Sequence, residues 1–223
     1  MDLIVEAFET FAPLCNADHS WDNVGVLIES PPSPIKKILL TVDATPVVIN
    51  ECINKNVSYL ISYHPIIFKG LKSINDECQS VRLCVQNGIS VYCPHTALDE
   101  SMNKKLKLLA GEGTVEEIAD RLKSILKLTY VRLCGDKKRI YSDIIVGVGS
   151  GKFNNVSDCL IITGEMNHHN LLYYRGRGCS VLLLEHCNSE RFYLDILKEC
   201  LSDKLQGWEI MISEEDKSPI ELL

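Results

Sequence analysis

Ile35-Lys36-Lys37-Ile38-Leu39-Leu40-Thr41-Val42, Val57-Ser58-Tyr59-Leu60-Ile61 and Ile89-Ser90-Val91-Tyr92-Cys93 are three short apolar runs, and what separates them decides the fold. Between the first two lies Pro46–Asn54, with apolar residues at helical spacing and proline in the first turn. Between the second and third lies 76–87, a helical stretch stopped by Gly88. Strands this apolar, alternating with helices, predict a mainly parallel sheet covered on both faces.

The same reading extends outward. Upstream, residues 3–11 carry Leu3, Ile4, Ala7, Phe8 and Phe11 on one helical face, and Pro13 ends the helix. A loop over 18–23 leads to a strand over 24–28, and Pro31, Pro32 and Pro34 mark a further loop. Downstream, helices are predicted over 103–110 and 115–127, and strands over 128–133 and 143–148. After a glycine-rich turn come a strand at Leu160–Thr163, a helix over 166–175 and a strand over 181–184. A long helix over 190–205 follows, with Asn188 or Ser189 as its N-cap, and then a last strand over 208–212. The polar tail, 213–223, is expected to fray. The halves are alike in plan, with a boundary near 111–114, giving two lobes, 1–113 and 114–223.

The 223 residues are 46% hydrophobic and 24% charged, ordinary values for a globular chain, with a net charge of -7. That balance argues against a general nucleic-acid or anionic-membrane surface. A small anionic substrate stays compatible, because a bound cation reverses the local sign. Ten cysteines occur without a C-x-x-C pair. Cys52, Cys84, Cys93 and Cys159 sit in apolar stretches, the pattern of buried free thiols in a reducing compartment. Met1-Asp2-Leu3-Ile4-Val5-Glu6 lacks a basic leader, and no run is long enough to span a membrane, so a cytoplasmic location is expected.

The histidines stand beside carboxylates or each other. Tyr63-His64-Pro65 and His95-Thr96-Ala97-Leu98-Asp99 each follow the carboxyl end of a predicted strand, as does His186-Cys187-Asn188-Ser189-Glu190. Open α/β sheets bind ligands beyond those ends. Imidazole nitrogens and carboxylate oxygens on such loops are the donors a metal needs. Asp99 and Glu190, each four residues after a histidine, are candidate bridges between two ions roughly 3.5–4 Å apart. A helix dipole at the first turn favours the ionised form of Glu190. His19 reads as an ordinary polar residue. His168-His169, after Gly164-Glu165, either line the pocket or cap a helix. Trp21-Asp22-Asn23-Val24-Gly25 reads as a turn with local backbone bonds. Gly147-Val148-Gly149-Ser150-Gly151-Lys152 lacks phosphate-loop spacing and reads as a strand-to-helix turn, with an oxyanion role for its amides as the lesser alternative.

Taken in order, Trp21-Asp22-Asn23-Val24-Gly25, Tyr63-His64-Pro65-Ile66-Ile67-Phe68, His95-Thr96-Ala97-Leu98-Asp99, Thr163-Gly164-Glu165-Met166-Asn167-His168-His169 and His186-Cys187-Asn188-Ser189-Glu190-Arg191 resemble the motifs of the NIF-three-like family. Its members are often named GTP cyclohydrolase 1 type 2 homologues. The resemblance covers about 3–205 and implies a two-lobed α/β fold with mixed, mainly parallel sheets covered by helices. It implies the short form without an inserted domain, a dinuclear metal site between the lobes, and a toroidal homohexamer. It places metal ligands at His64, Asp99, His186 and Glu190, and His95 beside the metals. Two departures stand out: Tyr63 where the family usually has a first histidine ligand, and Glu185 where it usually has glycine. Tyr63 implies that one of two metal sites is weakened, empty or differently coordinated, and Glu185 reads as an outward, solvated residue, with an extra ligand as the lesser alternative.

Two functions follow from this. One is a hydrolase using two divalent ions, with zinc, iron, manganese and nickel all suited to the donor set. In it Glu190 and His95 carry the chemistry, with His95 or His168 moving protons; GTP is the substrate by family name only. The alternative is a non-catalytic, hexameric metal-binding or metal-handling protein with a regulatory protein partner.

Overall fold

The computed structural model describes residues 1–220. Within it the chain forms two compact units, one made of residues 1–98 and 193–220 and the other of 99–192. These run differently from lobes at 1–113 and 114–223, because the chain returns at its end to the first sheet.

The first unit holds strands β1 (Gly25–Ile28), β2 (Lys37–Thr41), β3 (Tyr59–Ser62) and β4 (Ser90–Cys93), and the late strand β9 (Glu209–Ile212). Their order is β1-β4-β3-β2-β9, parallel throughout except for the antiparallel edge strand β1. Every residue of β3 and β4 is buried, as a parallel sheet covered on both faces requires. Leu39, Leu60 and Val91 point to one face, where they pack with Val48, Ile49 and Cys52 of α2 (Pro46–Asn54) and Val81 and Cys84 of α3 (Gln79–Gln86). Tyr92 points to the other face and meets Phe8 of α1 (Asp2–Glu9) at 4.6 Å between ring centroids. Helix α2 starts as expected, with Thr45 as N-cap accepting from the Val48 amide and Pro46 in the first turn.

The second unit repeats the plan. Strands β5 (Arg132–Cys134), β6 (Ile144–Gly147), β7 (Leu160–Thr163) and β8 (Ser180–Leu183) run in the order β5-β8-β7-β6, again with only the edge strand β5 antiparallel. Cys159, Ile161, Val181 and Leu183 pack against Tyr174 of α6 (His168–Gly176). Helix α5 (Val115–Ile125) buries Val115, Ile118 and Leu122 and opens with a reciprocal Thr114–Glu117 capping box.

The α/β architecture with mainly parallel sheets is thus the expected one, and the strand positions hold to within a few residues. Three local readings are corrected. The helix predicted from 103 begins at His95 and runs to Ala110 as α4, so His95 and Asp99 lie on a helix. The long helix over 190–205 is two helices, α7 (His186–Arg191) and α8 (Tyr193–Lys204). Its N-cap is Glu185, without a side-chain cap, in place of Asn188 or Ser189. The tail, expected to fray, is anchored over 213–216. Asp216, buried, accepts from the Val42 amide at 2.7 Å, and Ser213 donates to the buried Glu51. Residues 221–223 of that expectation lie outside the described residues. All ten cysteines are free thiols, with Cys52, Cys84, Cys93 and Cys159 buried.

Candidate functional site

Both sheets carry their polar groups just beyond the carboxyl ends of the parallel strands. In the first unit Thr41 and Ser62, the last residues of β2 and β3, are register partners. Asp43 and His64 lie two residues beyond each, and His64 Nδ1 faces Asp43 Oδ1 at 2.9 Å. The loop is tied down from below. The His64 amide donates to the Val42 carbonyl at 2.9 Å, and the Ser62 hydroxyl donates to the His64 carbonyl at 2.7 Å.

His95 lies two residues beyond β4, at the turn into α4, with φ of 25°, a value side chains rarely adopt. Its Nδ1 meets Asp22 Oδ1 at 2.7 Å, and the Asp22 side chain has no exposed surface. Asp22 also accepts from the Thr96 hydroxyl at 2.6 Å and from the Asn23 amide at 2.8 Å. Burial alone pushes its carboxyl pKa up, but the bonds from Thr96 and His95 outweigh burial and hold it below the ordinary carboxylate value. The His64 and His95 rings lie 5.4 Å apart, and the buried Tyr63 ring lies 4.9 Å from the first and 5.3 Å from the second. A carboxylate at Nδ1 makes that nitrogen the proton carrier, which leaves Nε2 of each ring with the lone pair a metal or a proton can use.

In the second unit Glu165 lies two residues beyond β7. His186 opens α7, with Nδ1 at 3.1 Å from Glu165 Oε1 and Nε2 at 3.1 Å from Glu190 Oε1. Glu190 is buried, one helical turn on. The Glu190 bond raises the His186 pKa to about 9 against the opposing effect of burial, with Glu165 adding to the rise. The pair sits against backbone. Gly149 has φ of 60°, and a Cβ there would lie 2.5 Å from Glu190 Oε1. The Ser189 hydroxyl accepts from the Gly149 amide and donates to the His186 carbonyl, both at 2.8 Å.

Asp99 stands one turn beyond His95 on α4, partly buried. His19 is exposed and bonded to the Leu14 carbonyl, an ordinary polar role. His168 and His169 are exposed on the first turn of α6, whose cap is Asn167, accepting from the Asn170 amide at 2.9 Å. The glycine turn leads into a loop, not a helix, and its amides are used internally. Those of Val148, Gly149 and Gly151 donate to Asn103, Ser189 and Thr163. Glu185 is partly exposed, but its carboxylate is held at both oxygens by Arg132, at 2.7 and 3.2 Å. Asp22 belongs to no simple turn, since its main partners, His95 and Thr96, are more than seventy positions away.

Asp43, Arg132 and the paired roles of Asp22 and Glu165 escape a reading centred on histidines. A signal was present. The residue two past the strand end is Asp43 after β2, His64 after β3, His95 after β4, Glu165 after β7 and Glu185 after β8. That offset sets the first side chain free of the sheet above its carboxyl edge.

Comparison with known proteins places this geometry in context. The family model described as Duf34/NIF3 (NGG1p interacting factor 3) matches residues 1–111 and 102–219. NGG1-interacting factor 3 of Saccharomyces cerevisiae is 30% identical over 99% of this chain and 96% of its own length. A GTP cyclohydrolase 1 type 2 homolog of Clostridium perfringens is 27% identical over 99% of this chain and 98% of its own. The solved structure of the hypothetical protein SA1388 of Staphylococcus aureus superposes with a TM-score of 0.86 at 21% identity, covering 99% of this chain and 98% of that one, a likeness of fold.

Proposed function

The chain belongs to the Duf34/NIF3 family, and from that membership we propose that it binds divalent metal and uses it to hydrolyse a small anionic substrate. The ligands in this reading are His64, Asp99, His186 and Glu190. His64, His186 and Glu190 each offer a donor atom suited to an ion. The observation that carries the reading is the carboxylate behind each imidazole, Asp43 behind His64 and Glu165 behind His186. That arrangement fixes ring orientation and tautomer and raises the basicity of the ligating nitrogen. It is costly to build for histidines with no ligand to hold.

Two ions held there, of zinc, iron, manganese or nickel, would supply Lewis acidity and lower the pKa of water so that hydroxide is available near neutral pH. The chain's own residues do the rest. Asp99 and Glu190 bring negative charge, and the burial of Glu190 keeps its oxygen out of competition with water. His95, oriented by the ionised Asp22, moves a proton. A homohexamer is part of the same proposal. GTP enters only through the name of the Clostridium relative.

One observation favours a second, non-catalytic reading as a metal-handling or regulatory protein with a protein partner. Tyr63 is 4% exposed and packs its ring against both His64 and His95. A phenol is a weak ligand at neutral pH. Metal stoichiometry after purification without chelator tests both readings, with Glu190→Ala as control. Two ions per chain, lost in the control, with turnover of a nucleotide or phosphoester panel, support the hydrolase. One ion and no turnover support the second reading. No metal after reloading with zinc, iron or manganese overturns both.

A further inference from the structure

Glu185 occupies a conformation that few side chains tolerate. Its φ of 70° and ψ of 148° fall in a region that is essentially glycine's own. Such strain persists only where the surroundings over-determine it. Here the determinant is visible: Arg132 Nε lies 2.7 Å from one carboxylate oxygen and Arg132 Nη2 lies 3.2 Å from the other. Arg132 is on β5, the antiparallel edge strand, where it is the register partner of Leu183 at the end of β8. A planar guanidinium meeting a carboxylate at both oxygens fixes direction as well as distance. The ion pair therefore ties the backbone just beyond β8 to the neighbouring strand.

The next residue is His186. Its ring nitrogens reach Glu165 and Glu190, each at 3.1 Å, and its Cα would lie 2.9 Å from a Cβ added at Gly164. The ring is thus aimed by a peptide that has almost no room to shift. Helix α7 has no side-chain cap at this end; within the helix, Ser189 ties its first turn to the Glu185 and His186 carbonyls at 3.1 and 2.8 Å, and beyond it the Arg132 contact holds the Glu185 side chain.

We propose that the Arg132–Glu185 pair is a positioning clamp, which holds the strained peptide before His186 so that its imidazole stays aimed between Glu165 and Glu190. Neither residue is a ligand or touches substrate; both act through His186. The inference rests on the metal-binding reading for its functional consequence, and not for its structural one.

The test uses the full chain and four variants: Glu185→Gly, Arg132→Ala, Arg132→Lys, and the double exchange Arg132→Glu with Glu185→Arg. Zinc affinity is measured by competition with a chromogenic chelator. The His186 ring nitrogens are followed by NMR in the metal-free protein, using histidine labelling and His186→Gln for assignment. The clamp predicts that Glu185→Gly, which relieves strain, leaves the thermal midpoint unchanged or raised while zinc binding weakens about tenfold. Its His186 signals broaden or shift toward those of an unrestrained ring. Arg132→Ala weakens zinc binding similarly and lowers the midpoint, because the strain remains without its partner. Arg132→Lys, unable to hold both oxygens, restores only part of the affinity. The double exchange restores most of it. An unchanged His186 spectrum and unchanged zinc affinity in Glu185→Gly overturn the clamp. So does a double exchange no better than the single variants, which would assign the effect to the charge of Glu185 rather than to the pair. If the parent protein binds no zinc, the metal-binding reading fails, and the NMR comparison alone still decides the clamp.

Discussion

In the first unit the residue at the sharp turn from β4 into α4 is His95, held by Asp22 from the segment just before β1. In the second unit the residue at the turn from β8 into α7 is Glu185, held by Arg132 on β5. Both turns use a positive φ in a residue other than glycine, and both are pinned by a polar side-chain pair from the antiparallel edge region. The partner that does the holding is an acid in the first and a base in the second. The setting differs too: Asp22 has no exposed side-chain surface, whereas the Arg132 side chain is 54% exposed. In the first unit the strained residue is itself the imidazole with chemistry to do. In the second it precedes the imidazole, which has carboxylates on both ring nitrogens. A shared backbone problem has been solved twice with different chemistry, and the burial of each solution sets how much the fold depends on it.

The largest expected effect tests that dependence. Asp22→Ala strands the His95 and Thr96 donors in a buried site and should cost about 1–3 kcal/mol of unfolding free energy for each donor left unpaired. Arg132→Ala removes a half-exposed partner and should cost at most about 1 kcal/mol. Urea unfolding of the two variants beside the parent measures both. Equal costs would break the comparison, since burial would then not be what separates the clamps.

A second pair sits two residues beyond the first strand of each parallel set, Asp43 after β2 and Gly149 after β6. Gly149→Ala forces a Cβ against Glu190 Oε1 at a φ of 60° and should cost about 1–3 kcal/mol. Asp43→Ala removes a side chain that is 39% exposed. It should leave stability within about 0.5 kcal/mol but cut metal affinity about 10–100-fold, by freeing the His64 ring. Thermal unfolding and chelator competition on both variants separate the effects. A stability loss in Asp43→Ala as large as in Gly149→Ala would make its role architectural.

How far the sequence carries to this point follows from what each feature depends on. The parallel strands are legible because burial on both faces demands continuous apolar runs, as in Leu60-Ile61 and Ile161-Ile162. His64, His186 and Glu190 are legible as donors because imidazoles at strand ends are conspicuous. The start of α4 is not legible: Pro94-His95 looks like loop, and Asp22, far back in the chain, secures the His95 turn and the Thr96 amide where the helix begins. The tail reads as polar and loose, yet Asp216 and Ser213 are buried by partners at Val42 and Glu51, more than 150 positions away. The Arg132–Glu185 pair spans 53 positions. Long-range polar pairing leaves no periodicity behind, so these contacts emerge only once the strands are in register.

The smallest effect, and the one with a sign to check, is the pH dependence of the two units in metal-free protein. His186 has its pKa raised from 6.5 to about 9 by Glu190 and Glu165. A raised pKa means that the folded state holds the proton more tightly. Its stabilising contribution is therefore fully present below about pH 6.5 and is lost as pH rises through about 9. Asp22 is shifted the other way, below its ordinary 3.8. Its contribution is present above that value and is lost only as the pH falls through the depressed range. The difference in thermal midpoint between parent and His186→Gln should thus shrink from pH 6 to pH 10, while that between parent and Asp22→Asn stays flat there and shrinks in acid. A His186→Gln difference that stays constant to pH 10 would mean that the imidazole is not held charged between its carboxylates. Zinc sharpens the contrast, because ligation needs the neutral ring. Loading at pH 7.5 should release a proton that His186→Gln does not release, which unbuffered pH measurement detects directly, and Asp22→Asn should leave that release in place.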